Sequence, residues 1–151
     1  MNLAESTWTE VRDADVDVAF LPVGSTEQHG PHAPLATDAL TATAVAEAAA
    51  SRYETSAGED EATARGEALV TPTVPVGVSE EHRAFDGTLW VSPDAFRAYD
   101  RSAAASLGPR GLARIVFVTV HGGNATALPP LPRPSSLSAP PARHALALTA
   151  F

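Results

Sequence analysis

Three apolar runs along the chain predict β-strands. Residues 16–23 form a valine-rich run that ends at a glycine, where a turn is expected. Residues 68–77 form a second run, in which Pro72 and Pro75 place the strand at a sheet edge or end it early. Residues 115–120 are apolar apart from one threonine, which is typical of a strand buried in a parallel sheet.

The segments between these runs have helical spacing. Residues 39–53 are rich in alanine, with larger apolar side chains on one face, and Thr37 or Asp38 is the expected cap. Residues 92–94, Ser-Pro-Asp, combine a capping residue, a proline at the first helical position and an acid. The helix that they open is predicted to end near Leu107, because Gly-Pro follows.

The order strand, loop, helix, strand, helix, strand predicts an α/β fold. Such alternation places strands side by side in a parallel sheet, with helices on its faces. The carboxyl ends of the strands then share one edge, where open α/β sheets place their ligands.

The composition changes after Leu128. Residues 129–151 contain six prolines and no acidic residue, whereas every Asp and Glu lies before this point. No amphipathic period is visible there, so we expect this tail to be disordered and not packed into the core. The predicted division is a domain over residues 1–128 and a proline-rich tail over residues 129–151, which we interpret as out-of-frame or unrelated sequence joined to a truncated domain. A natural proline-rich linker is the alternative.

Composition excludes several classes of protein. The 151-residue chain has a formal net charge of −8 and no lysine, and no basic patch suggests binding to nucleic acid. It has no cysteine, so any metal site must use histidine and carboxylate ligands. No signal-like amino terminus and no long apolar run is present, which predicts a cytoplasmic protein that does not enter a membrane.

The loop over residues 21–38 concentrates the polar side chains that could perform chemistry. Glu27 and His29 lie two residues apart, so an extended backbone presents both on one face, and Asp38 follows at the start of the next helix. Carboxylate and imidazole ligands suit a divalent metal such as zinc or manganese. His32 is a further candidate as a ligand or proton shuttle, although alone it is more simply structural. A polar turn that caps a helix is the alternative for the whole loop.

His121 follows the third predicted strand directly. Its position at a strand carboxyl end places it at the edge that the loop over residues 21–38 also reaches. The spacing therefore predicts that Glu27, His29, Asp38 and His121 converge on one metal-binding cluster.

Three stretches carry a resemblance to the creatininase family of metal hydrolases. Residues 22–38 match the pattern P-x-G-S-x-E-Q-H-G-P-H-x-P-L-x-T-D, and residues 119–124 resemble the N-G-H-G-G-N element of the family. Residues 77–88 resemble the segment between them more weakly. The resemblance covers about residues 5–128. It implies a three-layer α/β/α sandwich with a mainly parallel sheet, of which the C-terminal part is missing from this chain.

The resemblance also implies a site for one or two divalent ions, Zn or Mn. Glu27, Asp38 and His121 would bind one ion, while His29 and Asp38 would bind a second, with Asp38 bridging. Metal-activated water would then attack an amide carbonyl.

Two further residues are implied to face the substrate. Ser79 and His82 lie in a segment that covers the active site in the family. A capped surface turn is the alternative for these two residues.

The function implied by the resemblance is hydrolysis of a C–N bond in a cyclic or linear amide such as creatinine. A small-molecule amide is therefore the expected partner, and homo-oligomers are expected in the full-length family. The alternatives are a formamide hydrolase in flavin or deazaflavin precursor biosynthesis, and an inactive truncated fragment that binds metal or docks on a full-length paralogue.

The chain departs from the family pattern in two places. Creatininase proper has Glu where this chain has Gly123, and the Asn-Gly before the strand-end histidine is replaced by Thr119 and Val120. The general acid or base is expected from a later segment. We therefore expect negligible amidohydrolase turnover from these 151 residues alone.

Overall fold

A computed structural model describes residues 1–55, 66–108, 112 and 114–128, together with the backbone of residues 144–149. A parallel four-stranded sheet lies at its centre, with the strand order β2-β1-β3-β4. The strands are β1 (Val16–Pro22), β2 (Glu67–Val70), β3 (Arg114–Thr119) and β4 (His144–Thr149). All four strands point the same way, so their carboxyl ends meet at one edge.

The described residues also form four α-helices and a 3-10 turn. The helices are α1 (Trp8–Asp13), α2 (Thr37–Thr55), α3 (Pro93–Leu107) and α4 (Gly122–Ala127), and the 3-10 turn is Glu80–His82. Thr7 closes a capping box at α1, and the Ser92 hydroxyl accepts a hydrogen bond from the Ala95 amide at the start of α3. The capping predicted for Ser92 is thus observed.

Each face of the sheet packs against helices. On one face, Ala19 and Leu21 of β1 pack with Phe96 and Leu107 of α3. Alternate residues of β1 point to the other face, where they meet alanines of α2. This second set comprises Val18, Phe20, Ala46 and Ala50. The arrangement confirms the predicted α/β fold with helices on both faces of a parallel sheet.

The second strand lies at the sheet edge and ends early, as its prolines predicted. It ends at Val70, before Pro72, and beyond it Val74 forms a single bridge to Val23. Proline has no amide hydrogen to donate to the ladder, so the strand stops where the prolines begin. The cap predicted for α2 is wrong: the helix begins at Thr37, so Thr37 and Asp38 both lie in its first turn instead of preceding it.

Six residues of the tail form a strand, although disorder is predicted for the whole tail. The backbone of β4 pairs in parallel with β3, from Arg114↔His144 to Thr119↔Thr149. This segment, His-Ala-Leu-Ala-Leu-Thr, contains no proline and can therefore continue the hydrogen-bonded ladder. Residues 129–143 and 150–151 lie outside the described residues, and the domain boundary at Leu128 stays a prediction.

A carboxylate is buried in the layer between α3 and the sheet. Asp100 is 0% exposed, and neither of its oxygens has a hydrogen-bond partner within the described part of the chain. It follows Phe96 by one helical turn and precedes Ala104 by another, so it lies on the apolar face of α3. Burial raises the pKa of Asp100 to about 6, because the charged form loses its hydration.

Asp100 should make the stability of the fold depend on pH. In the unfolded chain an aspartate ionises near pH 3.9, about two pH units lower than in the fold. The free energy of unfolding should therefore fall as the pH rises from about 4 to about 6, and then level off. We expect Asp100→Asn to remove this fall and to be more stable than the native chain near pH 7, by on the order of 2 kcal/mol.

Urea denaturation across pH 4 to 7.5 measures this effect. Glu47→Gln, at an exposed site on α2, is the matched control and should keep the native pH profile. If Asp100→Asn and the native chain gave parallel pH profiles, ionisation of the buried carboxylate would not lower the free energy of unfolding.

Candidate metal centre

The loop between β1 and α2 is held in place by backbone hydrogen bonds. Val23 donates to Val118 of β3 at 2.8 Å, and Gly24 donates to Val74 at 2.9 Å. At Gly24 the loop passes so close to α2 that a Cβ atom would lie 2.3 Å from the Cα of Ala39. Only glycine fits this approach, which brings the loop directly over the start of the helix.

Four side chains from three elements meet at the carboxyl edge of the sheet. Ligand atoms of Glu27, His29 and Asp38 lie within 4.8 Å of one another. His121, two residues after the end of β3, places its Nδ1 atom 3.2 Å from Glu27 Oε1 and 3.2 Å from Asp38 Oδ2. The structure thus brings together the four residues that the sequence predicted to converge, and their role as metal ligands stays a prediction.

Each histidine of this cluster is oriented by a backbone carbonyl. His29 Nδ1 lies 3.0 Å from the Glu27 carbonyl, and His121 Nε2 lies 2.8 Å from the Val78 carbonyl. A carbonyl only accepts, so these two nitrogens carry the protons. The opposite nitrogen of each ring then faces carboxylate oxygens, with His29 Nε2 3.1 Å from Asp38 Oδ1.

The charges of the cluster shift its pKa values. Burial opposes a charge on His121, but its contact with Asp38, its bond to the Val78 carbonyl and the charge of Glu27 outweigh burial and raise its pKa to about 9. Burial also opposes a charge on His29, but the hydrogen bond to the Glu27 carbonyl and the contact with Asp38 outweigh burial and raise its pKa. Burial likewise works against the charge of Asp38, but the two imidazoles lower its pKa. The site therefore stabilises a positive charge between its carboxylates.

The donor set fits a divalent cation. Among the described residues, Asp38 Oδ2 is buried and has no hydrogen-bond partner, although His121 Nδ1 forms an ion pair with it at 3.2 Å. A buried oxygen without a partner is costly, and a cation between Glu27, Asp38 and His121 would satisfy it. The other Asp38 oxygen faces His29, so one carboxylate separates the two imidazoles, as a bridging ligand would.

Two buried serines support Glu27. The Ser25 hydroxyl lies 3.3 Å from Glu27 Oε2 and 2.9 Å from Ser79 Oγ. Ser79 in turn donates to the Leu89 carbonyl at 3.2 Å. Sequence reasoning missed Ser25, although it lies within the quoted family pattern two residues before Glu27.

The structure separates the other predicted site residues from the cluster. Ser79 is 0% exposed, and the Ser25 hydroxyl lies between it and Glu27. His82 is half-buried, and Gln28 Nε2 donates to its Nδ1 at 2.9 Å. His32 is exposed and is not part of the cluster. The substrate-side roles of Ser79 and His82 stay predictions.

Comparison with known proteins gives one family. The creatininase family model, described as creatinine amidohydrolase, matches residues 4–137. The match therefore runs nine residues past Leu128, the boundary predicted from composition.

Curated relatives are named as mycofactocin precursor peptide peptidases. The relative from Mycobacterium tuberculosis H37Rv is 44% identical over 112 residues, which cover 72% of this chain and 41% of the relative. The relative from Mycolicibacterium smegmatis is 42% identical over 117 residues, which cover 75% of this chain and 42% of the relative. The matched region thus spans less than half the length of either relative.

Solved structures share the fold. A manganese creatininase is 27% identical with a TM-score of 0.70, covering 84% of this chain and 48% of that protein. A creatininase variant described as a Zn-Zn type has a TM-score of 0.69 at 27% identity, covering 84% of this chain and 47% of that protein. A structure described as a putative creatinine amidohydrolase from Bacteroides fragilis has a TM-score of 0.74 at 22% identity, covering 99% of this chain and 55% of that protein.

Replacing one histidine of the loop should change metal binding. We expect His29→Gln to weaken the binding of Zn²⁺ or Mn²⁺ by more than the 10–100-fold that is typical for loss of an outer partner, because it removes a ligand. If Asp38 bridges two ions, the stoichiometry should also fall. Isothermal titration calorimetry measures both quantities. His32→Gln, three residues away and exposed, is the control; identical isotherms for the two variants would contradict the assigned cluster.

Proposed function

The chain belongs to the creatininase family, and we propose that it carries the metal centre of a hydrolase that cleaves a C–N bond of an amide. The observation that carries this proposal is the cluster of Glu27, His29, Asp38 and His121, in which each imidazole binds a backbone carbonyl through one nitrogen and turns the other toward carboxylate oxygens. Such a set of nitrogen and oxygen donors is typical of zinc and manganese sites.

We propose that Glu27, Asp38 and His121 hold one ion, and that His29 and Asp38 hold a second. When bound, a divalent cation supplies an activated water near neutral pH and polarises the carbonyl of the substrate. The carbonyls of Glu27 and Val78 fix the two imidazoles by holding their protonated nitrogens.

The residues around the cluster suit the binding of an amide. His82 Nδ1 accepts a hydrogen bond from Gln28, so its Nε2 carries a proton and has no partner among the described residues. This N–H can donate to a substrate carbonyl or to a departing amine. The role is compatible with the substrate-side position predicted for His82.

We propose a peptide amide as the substrate. The mycofactocin precursor peptide peptidases are 44% identical to this chain, whereas the creatininases are 27% identical. Exposed apolar side chains also lie beside the loop, where the Leu89 amide donates to the Thr26 carbonyl at 2.9 Å. Leu89 and Trp90 line a groove of about 330 Å³ with Val76 and Thr88, which suits an apolar peptide side chain better than a small polar ring.

A creatinine-like lactam is the second candidate, favoured by the creatininases among the structural neighbours. The described residues favour neither the formamide hydrolase nor the inactive fragment, and both remain predictions.

No helix of the described residues combines the length and the apolar character that crossing a membrane requires. The cytoplasmic location and the homo-oligomer stay predictions as well.

A substrate panel tests the proposed function. The chain is loaded with Zn²⁺ or Mn²⁺ and offered short apolar peptides, creatinine and an N-formyl arylamine. A second arm uses the chain joined to the C-terminal portion of the Mycolicibacterium smegmatis relative, because general acid or base groups are expected from a later segment. We expect metal-dependent peptide cleavage by the joined protein.

Asp38→Asn provides the control for the panel, and it should abolish cleavage by the joined protein, by at least about 100-fold. Turnover of creatinine without peptide cleavage would overturn the peptide assignment. Peptide cleavage that survives a chelator and Asp38→Asn would overturn the metal mechanism.

A further inference from the structure

Asn124 is a fully buried amide next to the metal centre that none of the steps above uses. It lies in the first turn of α4, three residues after His121, and is 0% exposed. A buried polar side chain must find partners, and the partners of Asn124 come from two other segments of the chain.

Both ends of the Asn124 amide bind backbone groups. Its Oδ1 accepts a hydrogen bond from the Val78 amide at 2.9 Å, and its Nδ2 donates to the Gly24 carbonyl at 2.8 Å. The two bonds join α4 to the segment before the 3-10 turn and to the loop that carries Glu27. One side chain therefore joins the segment that follows His121 to the loop that carries Glu27 and to the Val78 backbone.

The Val78 backbone links Asn124 to a metal ligand. Its amide is held by Asn124, and its carbonyl accepts the hydrogen bond from His121 Nε2 at 2.8 Å. That second bond leaves His121 Nδ1 directed at Glu27 Oε1 and Asp38 Oδ2. A shift of the Val78 backbone would rotate the imidazole away from its carboxylate partners.

The packing leaves this connection little room to move. A Cβ atom at Gly77 would lie 2.4 Å from Asn124 Oδ1, and one at Gly123 would lie 2.1 Å from the Val78 carbonyl oxygen. Only glycine fits at these two positions, because Asn124 Oδ1 and the Val78 carbonyl oxygen lie so close to the backbone there. The glutamate that creatininase proper carries at the position of Gly123 would displace the Val78 carbonyl in this structure.

We propose that Asn124 is a positioning residue that holds the Val78 backbone, so that His121 presents Nδ1 to the cation, and that fixes the Gly24 turn beneath Glu27. The inference rests on the proposed metal centre, because its effect is transmitted through His121. It assigns Asn124 no contact with the substrate or the ion.

Asn124→Asp tests the proposal with little change of shape. The remaining Oδ1 still accepts from Val78, but an oxygen replaces the Nδ2 donor and faces the Gly24 carbonyl without a bond. We expect Zn²⁺ affinity to fall by about 10–100-fold, the range typical for loss of a group that orients a ligand. In the zinc-loaded protein, the ¹⁵N resonances of the His121 ring should also shift, and its Nε2 proton should exchange faster with water.

Leu107→Ala controls for general destabilisation. Leu107 is buried on α3 in the core of the same sheet face and is not part of the cluster. We expect this variant to lower the free energy of unfolding by about 2–5 kcal/mol, while zinc affinity and the His121 resonances stay native. Gly123→Ala provides a second variant, whose Cβ would crowd both the Val78 carbonyl oxygen and His121 Nε2. It should weaken zinc binding even if Asn124→Asp fails to fold.

The outcomes separate the two proposals. If the native chain binds zinc without using His121 Nδ1, the proposed metal centre fails and this inference fails with it. If the native chain uses Nδ1 but Asn124→Asp or Gly123→Ala keeps native affinity and native ring resonances, only the positioning role is overturned.

Discussion

The site depends on one carboxylate that faces two imidazoles. Asp38 lies 3.1 Å from His29 through one oxygen and 3.2 Å from His121 through the other. Both rings are turned so that their protonated nitrogens bind backbone carbonyls, and a neutral ring would present a lone pair to the carboxylate. The arrangement is favourable only when a proton or a cation places a positive charge between the ring nitrogens and the carboxylate. This explains both the raised pKa of His121 and the fit of the site to a cation.

The fold provides this geometry through strand direction. Because β1 and β3 are parallel neighbours, with Pro22 opposite Val118, the loop after β1 and His121 after β3 emerge at the same edge. Helix α2 then starts against Gly24 and contributes Asp38 from its first turn. Apolar packing on both faces of the sheet thus fixes the distances between charged groups that are far apart in the sequence.

Local sequence patterns predicted the elements and part of the site. The apolar runs located β1 and β3, and the spacing of Glu27, His29 and Asp38 in one loop predicted three members of the cluster. His121 was found through its position at a strand end. Strand β4 was missed because the proline-rich composition of the whole tail outweighed six residues without proline.

The supporting bonds could not be predicted, because they are long-range and use the backbone. His121 binds the Val78 carbonyl across 43 residues, and Asn124 binds the Gly24 carbonyl across 100 residues. No side-chain pattern marks a carbonyl acceptor. Asn124 and Gly123 appeared in the sequence only as letters of a family element, and their contacts explain why amide and glycine occur there.

X-ray absorption at the zinc K-edge of the zinc-loaded chain tests the central claim most directly, because it reports the ligands of the ion without requiring turnover. The cluster predicts a first shell of oxygen and nitrogen ligands at about 2.0–2.2 Å from the zinc, with outer-shell scattering from imidazole rings. We expect His29→Gln and His121→Gln each to reduce this imidazole scattering. A shell without imidazole scattering, or one that neither variant changes, would contradict the assignment of these residues as the metal centre.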